Sequence, residues 1–205
     1  LIEYTMDDNR HCEIVFASNE KTTTVTETFE AETQNSAELQ QQGWQAILNN
    51  FKKYAENSFL HFEININAPA EKVYNTMLAP ETYNEWTKEF NPTSSYKGSW
   101  EKGSKILFIG MDDKGNQGGM VSRIKENIPN KFVSIEHQGV LQGEQEIMSG
   151  PDVDQWAGGL ENYTFSAAGN STLLAVDMDS NEAFKEYFET TWPKALHKLK
   201  AICER

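Results

Sequence analysis

Phe184-Lys-Glu-Tyr-Phe-Glu-Thr-Thr-Trp192-Pro-Lys-Ala-Leu196-His-Lys-Leu199-Lys-Ala-Ile-Cys203 is the stretch on which the fold of this chain turns. Phe184, Tyr187, Phe188, Trp192, Ala195, Leu196, Leu199 and Ile202 recur three and four residues apart, with charges between them. An α-helix turns once in about 3.6 residues, so this spacing forms one apolar stripe along a long helix. Such a stripe must lie on something. Pro193 lacks an amide hydrogen, and the helix is expected to kink or restart beside it.

The surface it lies on is written upstream. Phe62, Ile64 and Ile66 alternate with polar residues, the period of a strand with one buried face. Pro69 marks a helix start, Glu71 stands in its first turn, and Val73, Tyr74, Met77 and Leu78 follow at helical spacing. Pro80 interrupts, and Glu81 to Trp86 predicts a second short helix. Strands then follow at Tyr96–Trp100, Ile106–Met111, Met120–Lys125, Phe132–His137, Leu160–Ala167 and Thr172–Met178. The turn signals Asp113-Lys-Gly115-Asn, Pro129-Asn130 and Ala168-Gly169-Asn170 separate several of them. The order predicts an α+β fold. A curved antiparallel sheet wraps a long C-terminal helix, and two short helices follow the first strand.

The sequence also echoes itself. Trp44 to Glu56 lies over Trp192 to Glu204 at an offset of 148, with Trp, Leu, Lys and Glu identical at matching positions. Upstream, Phe16 pairs with Phe165 and Thr23 with Thr172 at an offset of 149. Each stretch reads strand, turn, strand, helix. Residues 58–205 are therefore expected to form one complete domain. Residues 1–57 read as the closing part of an upstream copy, incomplete here, that is expected to dock on the complete domain, to pair with another chain in self-association, or to belong to a longer protein. Two strands and a helix bury too little surface to stand alone.

Composition excludes several classes. With 38% hydrophobic residues, eleven Phe, seven Tyr and five Trp, the chain has material for a packed core. A net charge of −13 repels phosphate backbones and anionic lipid, which argues against nucleic-acid and membrane partners. The longest apolar runs fall far short of the roughly 20 residues that span a bilayer. Cys12 and Cys203 form neither a metal spacing nor a disulfide framework, so a reducing cytoplasm is expected. No HExxH, GxGxxG, P-loop or paired-Cys zinc pattern is present, and no cofactor or metal is expected.

Ala68-Pro-Ala-Glu-Lys-Val-Tyr74, Trp86, Gly98-Ser-Trp100-Glu-Lys-Gly103, Gly158-Gly-Leu-Glu-Asn-Tyr-Thr-Phe165 and the closing Phe188–Glu204 helix together carry a resemblance. Residues 58–205 resemble the START-like helix-grip superfamily. Within it they are most similar to the branch named after the C-terminal domain of the activator of heat-shock-protein-90 ATPase. Residues 1–57 resemble that family's closing strands and helix. The resemblance implies a cavity between sheet and long helix that accepts apolar molecules in many members. It implies no shared reaction.

Strand alternation places Phe108, Met120, Ile124, Ile135, His137, Tyr163 and Phe165 on the inner face, with Ile106, Ser122 and Val133. Tyr187, Trp192, Leu196 and Leu199 stand opposite, and Trp86 joins them from the second short helix. An apolar surround with a few polar groups is the usual small-molecule site. The same side chains can equally fill a solid core. His137 is the one histidine on an inward face, with no nucleophile fixed beside it, and Glu136 should point the other way. The stretch Gly143–Asp154, with Glu144, Glu146, Asp152 and Asp154, lacks calcium-loop spacing and reads as a mobile acidic loop over the cavity mouth. Three functions remain open. The favoured one is non-catalytic binding of a small apolar or amphipathic molecule between sheet and helix. The others are an activator-like domain that binds a chaperone, and a cyclase-like enzyme of the same superfamily.

Overall fold

In the computed structural model, which describes residues 1–19, 22–154 and 156–205, the chain divides into two units, Leu1–Glu56 and Asn57–Arg205. The first carries strands β1 (Ile2–Thr5), β2 (His11–Ser18) and β3 (Thr23–Phe29), antiparallel in that order, and then helix α1 (Ala37–Glu56). Ser36 Oγ accepts from the Leu39 amide at 3.2 Å, and Glu38 stands in the first turn. Both features satisfy the unpaired donors of a helix start. Trp44 from α1 meets Phe29 with ring centroids 5.0 Å apart.

The second unit opens with β4 (Asn57–Ile66), α2 (Ala70–Leu78) and α3 (Pro80–Trp86). Pro69 stands just before the first residue of α2, and Pro80 is the first residue of α3, where its missing amide hydrogen costs nothing. Strands β5 (Ser95–Gly98), β6 (Lys105–Met111), β7 (Gln117–Ile128), β8 (Phe132–Gln142) and β9 (Gln145–Ile147) follow. A short helix α4 (Pro151–Asp154) leads to β10 (Leu160–Ala168), β11 (Ser171–Asn181) and helix α5 (Glu182–Cys203). The sheet is antiparallel in the order β4-β11-β10-β8-β7-β6-β5, with β9 pairing only β8. This is the expected α+β helix-grip architecture.

One of the two outcomes expected at Pro193 is excluded, and one predicted strand ends early for a local cause. Helix α5 runs unbroken through Pro193 and does not restart there. The predicted strand Tyr96–Trp100 ends at Gly98, whose φ is +136° and where a Cβ would stand 2.5 Å from the Lys105 carbonyl oxygen. Only glycine fits that approach.

Helix α5 packs against β4 and β11 of the sheet and against α2 and α3. Its second half forms the grip: Ala195, Leu196, Leu199 and Ile202 are buried with Ile66, Val73, Met77, Leu174 and Val176. Each fully buried Leu or Ile contributes roughly 1.5–3 kcal/mol relative to exposure. The first half differs, because Phe184 and Tyr187 are 40% and 44% exposed. The strands distant from β4 therefore lie outside the part of α5 that packs tightly. No helix among the described residues is long and apolar enough to cross a membrane.

Candidate functional site

A cavity of about 710 Å³ opens beside the first half of α5. Tyr187, Phe188 and Trp192 of α5, Tyr83 and Trp86 of α3, and Phe90 just after it form one wall. Phe108 of β6, Met120 of β7, Ile135 and His137 of β8, and Glu161 and Tyr163 of β10 form the other. Exposed Met111, Asp112, Asn116 and Gly143 rim the mouth. The rings support one another: Trp192 stands 4.9 Å from Phe90, 5.8 Å from Phe62 and 6.1 Å from Tyr163. Tyr83 meets Tyr96 edge-on at 4.9 Å. Such stacked, tilted and edge-to-face pairs hold rings in place without needing a guest.

The indole donors are not treated alike. Trp86 Nε1 donates to the Met77 carbonyl at 3.1 Å, and Trp192 Nε1 to Met178 Sδ at 3.0 Å. Trp100 Nε1 is buried without a partner.

One polar cluster interrupts the apolar wall. His137 Nδ1 lies 2.9 Å from Ser122 Oγ, and its Nε2 lies 3.8 Å from Glu161 Oε2. The Tyr163 hydroxyl donates to Glu161 Oε1. Neighbouring antiparallel strands bring the group together: Ser122 pairs His137 across β7 and β8, and Glu161 pairs Ile135 across β8 and β10. Burial, and next the Glu161 carboxylate, push the Tyr163 phenol well above its ordinary range; the same two causes raise Tyr83. Both therefore stay protonated donors. Ser122 is wholly buried and off the cavity wall, so the Ser–His–Glu order presents no accessible nucleophile. The cluster can accept and donate hydrogen bonds to a polar group in the cavity.

Of the residues singled out from sequence, Trp86, Phe108, Met120, Ile135, His137, Tyr163, Tyr187 and Trp192 meet around this cavity. Ile124, Phe165 and Leu196 do not, being buried in the core instead. Helix α2 packs over β10 and β11 at that end, and Tyr74 meets Phe165 at 5.7 Å. Glu136 turns to the outer face, where Arg123 pairs with it at 2.8 Å. Sequence reasoning passed over Tyr83, Phe90, Glu161 and Phe188. Glu161 was within reach, since it stands two residues from Tyr163 and shares its face by alternation.

The acidic stretch is not a loop throughout. Strand β8 continues to Gln142, β9 folds back on it, and α4 follows. Glu146 pairs with Lys105 at 2.7 Å, while Glu144 and Asp154 are exposed. The Asp152 side chain lies outside the described residues. Among the described residues no cluster of three metal-ligand side chains occurs.

The model of the family "Activator of Hsp90 ATPase homolog 1-like protein" matches residues 67–204. Among curated proteins none matches significantly. Several solved structures share the fold. The solution structure of the Aha1 dimer from Colwellia psychrerythraea is 24% identical, with a TM-score of 0.54 over 72% of this chain and 96% of that one. A crystal structure from Nitrosomonas europaea is 14% identical, with a TM-score of 0.56 over 71% of this chain and 93% of that one. One from Mesorhizobium loti is 15% identical, with a TM-score of 0.53 over 70% and 95% respectively. The family match takes in the opening helices, every strand of the larger sheet but β4, and the gripping helix, and by it this chain belongs to the family of Activator of Hsp90 ATPase homolog 1-like proteins.

Proposed function

We propose that the second unit is a non-catalytic binding domain for a small apolar or amphipathic molecule held between the sheet and the first half of α5. The observation that carries this is the aromatic-walled space of about 710 Å³. It falls in the range of roughly 300–1,000 Å³ typical of small-molecule pockets. A mutually braced aromatic wall leaves this space ready for a guest. The test is a fluorescence titration with Nile red, a neutral apolar dye. Saturable one-to-one uptake is expected, and a chain that takes up no dye would refute the proposal. A chaperone contact rests on family membership alone, and adding this chain to a purified chaperone ATPase is expected to leave turnover unchanged.

The first unit is, on our proposal, built on the plan of the second unit's closing part. At the offset of 149, the pair Phe16–Val25 falls on Phe165–Leu174, and Ser18–Thr23 falls on Ala167–Thr172. Strand β1 then stands beside β2 as β8 stands beside β10, with Ile14 lying over Tyr163. The counterpart of β3 is β11, which pairs β4, whereas β3 is the edge of its sheet. Edge strands recruit further strands. Sedimentation velocity over a wide concentration range is expected to show self-association through this edge, and a monomer throughout would refute it.

A further inference from the structure

Carboxylates outnumber basic side chains on the otherwise apolar wall of the cavity. Three carboxylates, Asp112, Glu161 and Asp179, line it together with His137, and among the described residues no lysine or arginine does. Two of these carboxylates are already engaged. Asp112 Oδ1 accepts from the Lys114 and Asn116 amides at the rim, at 2.9 and 2.8 Å. Asp179 Oδ2 accepts from the Leu160 amide at 2.9 Å. Glu161 differs. Its Oε1 takes the Tyr163 hydroxyl, but its Oε2 has His137 Nε2 at 3.8 Å, beyond hydrogen-bonding reach. A carboxylate oxygen on the wall is thus short of a donor.

The rings add to this bias. Trp86, Trp100, Trp192 and Phe108 line the same space, and an aromatic face is the negative end of its quadrupole. An anionic head group placed here would lose water, meet like charges and find no lysine or arginine, with His137 the one basic side chain among the described lining residues. A head group that donates a hydrogen bond would satisfy Glu161 Oε2.

We infer that the cavity takes a neutral or cationic amphiphile, an alcohol or an amine, whose head group donates to Glu161, and that it rejects anionic amphiphiles of the same size. This rests on the cavity accepting a guest at all, and the test separates the two claims. Dodecanol and dodecylamine carry a twelve-carbon chain and dodecanoate an eleven-carbon one, so apolar burial cancels to within one methylene, roughly fourfold in affinity. Each is used to displace Nile red from the full chain at about pH 8, where the acid is ionised and the amine protonated.

The alcohol and the amine are expected to bind at least about tenfold more tightly than dodecanoate. Glu161→Gln keeps an acceptor for Tyr163 and removes the charge, and should bring dodecanoate to within about fourfold of the amine. That substitution changes the overall charge of −13 by one, so non-specific attraction of the amine to an acidic surface would survive it. Dodecanoate binding as tightly as dodecanol would overturn the inference and leave the cavity reading standing. Selectivity unchanged in Glu161→Gln would overturn the assignment to Glu161. If that variant fails to fold, the comparison of dodecanol with dodecanoate on the unaltered chain still decides. Failure of the dye and all three amphiphiles to bind would remove the cavity reading itself.

Discussion

Replacing Leu199 by alanine separates the two halves of α5. Leu199 is 0% exposed, sits in the gripping half of the helix and does not line the cavity. The substitution removes three buried carbons, about 2.4 kcal/mol at roughly 0.8 kcal/mol each. The void left behind raises the loss to about 3–4 kcal/mol. Alanine is the best helix former, so the backbone gives no reason for a loss. Tyr187→Ala is the matched contrast. Tyr187 is 44% exposed, and its hydroxyl donates to the Phe90 carbonyl at 3.0 Å, so its loss should cost about 1 kcal/mol or less. Because Tyr187 lines the cavity, Nile red affinity should fall in Tyr187→Ala and hold in folded Leu199→Ala. Urea unfolding followed by tryptophan fluorescence reads both stabilities, through Trp86, Trp100, Trp156 and Trp192 of the second unit. A loss below about 1 kcal/mol in Leu199→Ala would mean that this half of α5 does not grip the sheet.

Gly119→Ala should cost more than about 2 kcal/mol, read by the same unfolding, because φ is +149° and a Cβ would stand 1.9 Å from the Phe108 carbonyl oxygen. In an alkaline titration followed by phenolate absorbance, Tyr83 and Tyr163 should ionise only as the chain unfolds, since burial and then Glu161 raise both. The unfolded chain loses these protons above about pH 10 while the folded one keeps them, so their contribution falls as pH rises from there. His61 is raised chiefly by its hydrogen bond to Asp177, with Nδ1 and Oδ1 at 2.6 Å. Its contribution is fully present below about pH 6.5 and is lost as pH rises through the higher folded value. The pair is half exposed, so Asp177→Asn should lower stability at mildly acidic pH by no more than about 1 kcal/mol, and less at alkaline pH.

The fold was legible wherever local chemistry decides it. Pro69 places a helix start and Pro80 the break before the next helix, Gly115 and Gly169 mark hairpin turns with positive φ, and the stripe from Trp192 to Ile202 finds its core. The extension of β8 and the pairing of β9 were not legible. The ladder between β7 and β8 shifts register between Val121 and Ser122, which breaks the alternation on which strand reading depends. Nor does alternation alone tell a cavity wall from a core. Phe108 and Phe165 both face inward, but α2 packs at one end of the sheet and leaves the other open. Phe184 belongs to the helical stripe and is nonetheless 40% exposed, with the rings of Trp156 and Phe188 beside it. Glu161 shares the inward face of Tyr163 by alternation, but its neighbour His137 emerges only when β8 and β10 pair.

Titration calorimetry of the full chain with dodecanol at several temperatures probes the open space beneath α5. Burial of the alkyl chain against Trp86, Phe108 and Trp192 predicts a single saturable site with a negative heat-capacity change. Absence of saturable heat at every temperature, or binding whose heat does not vary with temperature, would contradict a cavity that takes an apolar guest.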